Sequence, residues 1–239
     1  MKSAADVPTL ASMRQADPDF RDYLKWHQRL ALACRAHWLR ILTTAAAMYI
    51  GLGLLAPLLM MWGWQASAKA IYALYSALCH QFAHRSWFIF GQSTSYASEQ
   101  LRELTGIDPN TTIGRLDARS FTGNAALGWK SAYCQRDMAI YVGVLIFSLL
   151  YALLRERRLR IQNVPWLLYF VIGLVPITLD SLSQMLSQSP FALPFPIWRE
   201  STPILRTLTG LLFGGMNAWL AYPHLEEWMT EVHPRHVRT

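Results

Sequence analysis

Four long runs without Asp, Glu, Lys or Arg constrain the fold of this chain more than any other feature. They occupy residues 41–64, 138–154, 161–179 and 207–225. A helix needs about 20 apolar residues to cross the hydrocarbon core of a bilayer. Only 15% of the residues are charged and 53% are hydrophobic, whereas a soluble domain carries about 25% charged residues. The sequence therefore predicts an all-α integral membrane protein with about four transmembrane helices.

The distribution of Lys and Arg predicts how these spans are oriented. Between the second and third spans lies the short loop RERRLR, residues 155–160, in which four of six residues are Arg. Short loops rich in Lys and Arg lie in the cytoplasm. We therefore expect a multi-pass protein of the plasma (inner) membrane with both termini in the cytoplasm. The net charge of +7 is spread along the chain, so it favours membrane orientation over nucleic-acid binding.

This topology divides the chain into three parts. Residues 1–40 form a cytoplasmic or interfacial N-terminal segment, in which residues 19–40 are expected to form a basic amphipathic helix. Residues 41–226 form the membrane domain, with an outer loop at 65–137. Residues 227–239 form a cytoplasmic tail. Within the outer loop, the run AIYALYSALCHQFAH at 70–84 has helical composition but is too short to span, so it predicts an interfacial or re-entrant helix.

Polar side chains from several stretches should gather at the outer face. Intramembrane and juxtamembrane charges are costly to bury, so such a gathering is a candidate site. Each residue could instead be an anchor or a helix cap, and Asp180 could simply pair with Arg199 or Arg206. The expected polar network consists of Gln81, Arg85, Arg136, Asp180, Gln184, Arg199 and Arg206.

The outward-facing cysteines, Cys79 and Cys134, allow three interpretations. They could form a disulfide, they could be inert buried thiols, or they could bind Zn or Cu. A metal site would use Cys79, His80, Cys134 and Asp137. His84 is a weaker candidate ligand, placed one helical turn after His80 if residues 70–84 are helical. Cys34 lies in the N-terminal segment and is expected to have no chemical role.

The motifs around these cysteines resemble a family of bacterial and archaeal membrane proteins, domain of unknown function 2085. The resemblance covers residues 70–222 and rests on LCHQFAHRSWFIFG, YCQRDMAIYVG, PITLDSLSQ and WRESTPILRTLTGLLFG. It implies a membrane protein whose motif residues form the outer layer. Asp137 stands where many relatives have a second cysteine, and residues 93–124 look like an insertion that begins with a short amphipathic helix.

No Walker loop, dinucleotide fingerprint, nucleophile elbow or HExxH motif is present, which favours a non-enzymatic role. The leading hypothesis is an accessory or structural subunit of a larger membrane assembly, such as an electron-transfer complex. The alternative is a metal-binding or redox-active protein that uses its outer site, for example on a quinone-like molecule. The expected partners are the lipid bilayer and other membrane subunits.

Overall fold

The computed structural model describes residues 18–159, 161–187 and 200–231. The chain divides into two compact units, residues 1–42 and 43–239. The first unit contains the N-terminal part of helix α1, and the second unit contains every other element.

Four long helices carry the apolar runs. Three of them contain segments long and apolar enough to cross a membrane, at Ala33–Met61, Gln135–Glu156 and Trp166–Ser187. The prediction of a helical membrane protein is therefore confirmed in its coarse form. The long helices are α1 (Pro18–Met61), α5 (Gln135–Glu156), α6 (Trp166–Ser187) and α7 (Pro203–Glu231).

The fourth predicted span, residues 207–225, lies inside α7 and is not confirmed. Although α7 has 29 residues, it is not among the three segments that meet the length and apolarity of a span. Glycines, threonines and Asn217 dilute its apolar residues. The N-terminal segment also differs from expectation, because the helix predicted at 19–40 is the first part of the continuous α1.

Helix α6 changes its hydrogen-bonding pattern ahead of Pro176. Its residues Tyr169–Leu174 are π-helical, and α-helical geometry resumes at Val175–Ser187. Proline cannot donate to the carbonyl four residues earlier and its ring crowds that carbonyl, here Ile172. A π-helical turn is one way to accommodate such a disruption within a helix.

A small mixed region connects α1 to α5. Helix α2 (Gln65–Ser76) comes first, and strand β1 (Ser86–Ile89) follows after a turn. Helices α3 (Ser98–Thr105) and α4 (Thr112–Ser120) precede strands β2 (Gly123–Asn124) and β3 (Gly128–Cys134). The strands form an antiparallel sheet in the order β1-β3-β2. A core of Ala83, Phe88, Tyr96, Leu101, Ala118 and Leu127 holds α3 and α4 against the sheet.

The prediction of one helix over residues 70–84 is wrong at its C-terminal end. Helix α2 ends at Ser76, and Gln81 adopts a left-handed backbone conformation with φ of 56°. Two hydrogen bonds stabilise this turn, because the Gln81 Nε2 donates to the carbonyl oxygens of Tyr72 and Ala132, both at 2.8 Å. His80 and His84 therefore do not lie one helical turn apart.

Glycines allow α5 and α7 to approach closely. A Cβ atom on Gly143 would lie 2.4 Å from the Leu211 carbonyl oxygen, and one on Gly214 would lie 2.0 Å from the Ile140 carbonyl oxygen. On Gly210 it would lie 2.7 Å from the Arg136 carbonyl oxygen. The sequence predicts a close helix approach for Gly210, Gly214 and Gly215, and the structure shows it for Gly210 and Gly214. The tightly packed α5–α7 pair fixes the first turns of both helices relative to each other.

Substitution of Gly214 by Ala should destabilise this helix pair. The added methyl group would overlap the Ile140 carbonyl, and overpacking of this kind costs about 1–3 kcal/mol. Thermal unfolding of the detergent-solubilised protein should show a lower midpoint for Gly214→Ala. The matched control is Gly215→Ala, whose Cβ would lie 3.9 Å from the nearest atom of α5, the Gly143 carbonyl oxygen. Equal midpoints for the two variants would contradict the packing described above.

Candidate functional site: two thiols beside a polar cavity

A cavity of about 340 Å³ lies where α5 begins, α6 ends and the turn after α2 passes. We name it the cysteine cavity. Ile140, Leu78 and Phe82 provide apolar parts of its wall. Nine residues that the sequence analysis singled out also line it: Cys79, His80, Gln81, Arg85, Cys134, Arg136, Asp137, Gln184 and Arg206.

The two cysteines in the wall are free thiols in direct contact. The backbone N–H of Cys134 donates to the Cys79 Sγ at 3.2 Å, and the N–H of Asp137 donates to the Cys134 Sγ at 3.4 Å. Cys134 is the residue immediately before α5, so its sulfur caps the helix N-terminus. A side chain that accepts hydrogen bonds there is stabilised as an anion.

The contact between the two thiols shifts their pKa values in opposite directions. Because the Cys79 thiol hydrogen-bonds to the Cys134 sulfur, the pKa of Cys134 is lowered. The same hydrogen bond, together with burial, raises the pKa of Cys79. Cys134 is therefore the sulfur that ionises first, and Cys79 is its hydrogen-bond donor.

Strand pairing brings the two cysteine motifs together. The register of β1 on β3 places Ser86 opposite Cys134. The buried Lys130 strengthens the same connection, since its Nζ donates to the carbonyl oxygens of Gln81 at 2.7 Å and Arg119 at 2.6 Å. Burial lowers the pKa of Lys130 to about 7. Lys130 and Gln81 together hold the turn that presents Cys79.

A buried arginine connects α7 to α5 and to the turn that precedes β1. Arg206 is only 2% exposed. Its Nη2 pairs with Glu200, and its Nη1 donates to the Gln135 Oε1 at 3.1 Å and to the His84 carbonyl oxygen at 3.3 Å. Glu200 also forms an ion pair with Arg85, whose Nε and Nη2 donate to the two Glu200 carboxylate oxygens at 3.0 and 3.2 Å.

A second buried ion pair connects α5 to α6. Arg136 pairs with Asp180, and its Nη2 donates to the Gln184 Oε1 at 3.1 Å. The sequence analysis offered Arg199 or Arg206 as the partner of Asp180. The prediction for Arg206 is wrong, because Arg206 is held by Glu200 instead. Arg199 lies outside the described residues.

Asp137 faces a group of tyrosines around Tyr49, of which Tyr133 and Tyr141 belong to the second sequence motif. The Tyr49 hydroxyl donates to the Asp137 Oδ2 at 2.7 Å. The rings of Tyr75, Tyr133 and Tyr141 lie 5.0, 5.9 and 3.8 Å from the Tyr49 ring, measured between centroids. The Asp137 carboxylate is therefore hydrogen-bonded to a residue of α1. Asp137 lies three residues after Cys134, which caps α5.

The two histidines occupy different environments. His80 is exposed at the rim of the cysteine cavity. His84 is buried and lines a different cavity, and burial lowers its pKa to about 3. Among the residues that the structure describes, no group of three or more His, Cys, Asp and Glu side chains could hold a metal ion. Binding of Zn or Cu therefore gains no support from the geometry and stays a prediction.

Three further residues were missed as parts of this arrangement. Lys130 and Gln135 are fully buried polar residues, and no sequence pattern marks their partners, which are mostly backbone carbonyls. Tyr49 lies within an apolar run and gave no polar signal. A lysine within the apolar stretch GWKSAYC is the one signal that could have indicated a buried polar contact.

Replacing Asp180 by Asn should strongly destabilise the protein. The change leaves the buried Arg136 guanidinium without a counter-charge, and breaking a buried ion pair in this way costs about 3 kcal/mol or more. Chemical unfolding in detergent micelles should report this loss. The control is Arg155→Gln, which breaks the more exposed Arg155–Glu226 pair, whose side chains are 46% and 28% exposed. That change should cost less than about 1 kcal/mol, and an equal loss in both variants would contradict the role of Arg136–Asp180.

The chain was also compared with known proteins. An uncharacterised protein of Methanocaldococcus jannaschii is 26% identical over 151 residues, which are 63% of this chain and 65% of that protein. The chain thus spans just under two thirds of the length of this relative. No solved structure matches.

A family model described as a predicted membrane protein, DUF2085, matches residues 115–220. This range contains the second, third and fourth motifs. It begins after the Cys79 motif. It also contains Cys134, Arg136, Asp180, Gln184 and Arg206. Over residues 115–220 the chain therefore matches the family that its motifs resemble, DUF2085, and the predicted resemblance is confirmed.

Proposed function

We propose that this membrane protein is a thiol redox protein in which Cys79 and Cys134 alternate between a dithiol and a disulfide. The observation that carries this proposal is that Cys79 and Cys134 lie against each other on the wall of the cysteine cavity, where the Cys134 N–H donates to the Cys79 Sγ at 3.2 Å. Two cysteines whose side chains already lie together need only a small movement to form a bond.

The reaction transfers two electrons and two protons. Both S–H bonds break, the Cys79–Cys134 bond forms, and an acceptor takes up two electrons and two protons. The reverse reaction regenerates both thiols. The lowered pKa of Cys134 supports this chemistry, because the thiolate is the reactive form of cysteine.

The surroundings of the pair favour a reversible bond over a static disulfide. A structural disulfide needs no cavity beside it, whereas here both sulfurs line a space of about 340 Å³. The same space is lined by Arg136 and Gln184. Pockets that bind small molecules have similar volumes and a few converging polar groups.

The placement of this reaction in the cell rests on the sequence. The Arg-rich loop at 155–160 supports cytoplasmic termini in the plasma membrane, with the cysteine cavity on the outer face. The close glycine contacts of α7 with α5 support α7 as a fourth span. In this topology the division into residues 1–40, 41–226 and 227–239 also applies, with the connecting region at 65–137 outside.

The hypothesis of an accessory subunit in a larger assembly remains a prediction, and none of the described contacts bears on it. It predicts co-purification with other membrane proteins and tolerance of Cys79→Ser. The metal hypothesis predicts stoichiometric Zn or Cu that is lost on changing Cys79 or His80. Both hypotheses can be tested on the sample used for the thiol experiment below.

The redox proposal predicts that Cys79 and Cys134 form a reversible disulfide in the membrane. Intact-mass analysis after alkylation should detect one reactive thiol, Cys34, in oxidised membranes and three reactive thiols after mild reduction. Reoxidation with a diazene oxidant should restore the bond. In Cys79→Ser, Cys134 should remain alkylatable throughout.

The matched control is Cys34→Ser, which removes the exposed cysteine of the first unit and should leave the cycle unchanged. Thiols that stay reduced under the oxidant would contradict the proposal. So would a disulfide that no mild reductant opens in the folded protein, because a static bond cannot carry electrons.

A further inference from the structure

We infer that the acceptor for the two electrons is a quinone that binds in the cysteine cavity from the bilayer. This inference rests on the proposed dithiol function and adds the chemical class of its substrate. It is argued from the position of the cavity, its walls and the electron balance.

The position of the cavity favours a ligand that is soluble in lipid. Its lining includes Ile140 of α5 and Gln184 of α6, and both lie within segments able to span a membrane. Leu78 and Phe82 add apolar surface next to the thiols. A flat ring can pack against Leu78, Phe82 and Ile140 while the polar part of the wall remains available to its oxygens.

Polar groups in the same cavity suit the oxygens of a quinone. Arg136 lines the cavity and contributes a guanidinium to its wall. Gln184 lies beside it and is held by the Arg136 Nη2. A carbonyl oxygen can accept a hydrogen bond from a guanidinium, and this bond strengthens as the oxygen gains negative charge during reduction.

The electron balance matches this class of acceptor. Oxidation of Cys79 and Cys134 breaks two S–H bonds and forms one S–S bond, releasing two electrons and two protons. A quinone takes up both electrons and both protons as its two C=O groups become C–OH groups. The products are one disulfide and one hydroquinone, and no further reactant is required.

The inference is tested by mixing the pre-reduced Cys34→Ser protein, in lipid nanodiscs and without oxygen, with a benzoquinone that carries a decyl chain. We expect one quinone to be reduced for each Cys79–Cys134 disulfide formed. Quinone absorbance and intact mass after alkylation measure the two products. Using the Cys34→Ser background prevents the exposed thiol from adding to the quinone.

A pair of variants tests whether the reaction occurs in the cavity. Leu78→Trp should fill the space beside the thiols and slow quinone reduction about tenfold, as expected when about 1.4 kcal/mol of binding free energy is lost. Leu74→Trp is the matched control, because Leu74 is similarly exposed, at 60% against 68% for Leu78, but does not line the cavity. It should react at the unmodified rate.

The outcomes separate this inference from the proposed function. If the diazene oxidant forms the disulfide and the quinone does not, the quinone inference is overturned and the dithiol function stands. If neither reagent forms it, both proposals fail. A covalent quinone–cysteine adduct in place of the disulfide, or equal rates for the two Trp variants, would also overturn the inference.

Discussion

The buried ion pairs at the beginnings and ends of the long helices are the interactions on which the rest of this structure depends. Arg136 and Asp180 connect α5 to α6, and Arg206 connects α7 to α5 through Gln135 and to the turn before β1 through the His84 carbonyl. A buried charge without its partner costs several kcal/mol, so each pair restricts the helices to one relative placement. Because Cys134 immediately precedes α5, this restriction also fixes the position of its sulfur.

The sheet provides the second half of the thiol pair. Strand β3 ends at Cys134, and its pairing with β1 brings the Cys79 turn against the same helix terminus. Gln81 and Lys130 then hold that turn through contacts with main-chain carbonyls. The cysteines thus meet because two independent sets of contacts place them. Ion pairs and hydrogen bonds between the helices position Cys134, and main-chain hydrogen bonds of the sheet and the turn position Cys79.

Much of this arrangement could be predicted from the sequence, because membrane helices leave long apolar runs and motif residues cluster at their ends. The three helices long and apolar enough to cross a membrane and the gathering of Cys79, Cys134 and Arg136 follow from those signals. The sheet could not be predicted, because β1 has only four residues and β2 only two. Strand β3 is buried on both faces and therefore lacks the alternation of polar and apolar residues that marks a strand. From the sequence, Arg136 could not be preferred to Arg206 as the partner of Asp180, because charge alone does not determine which of several arginines is nearest.

The most direct test of the account is the midpoint potential of the Cys79–Cys134 pair, measured in nanodiscs equilibrated with thiol–disulfide buffers. A disulfide that only stabilises a fold has a potential below about −300 mV, whereas one that exchanges electrons has a higher potential. We predict a two-electron midpoint above that limit, lost in Cys79→Ser and unchanged in Cys34→Ser. A midpoint below that limit, or thiols that never oxidise, would contradict the account and leave the pair with a structural role.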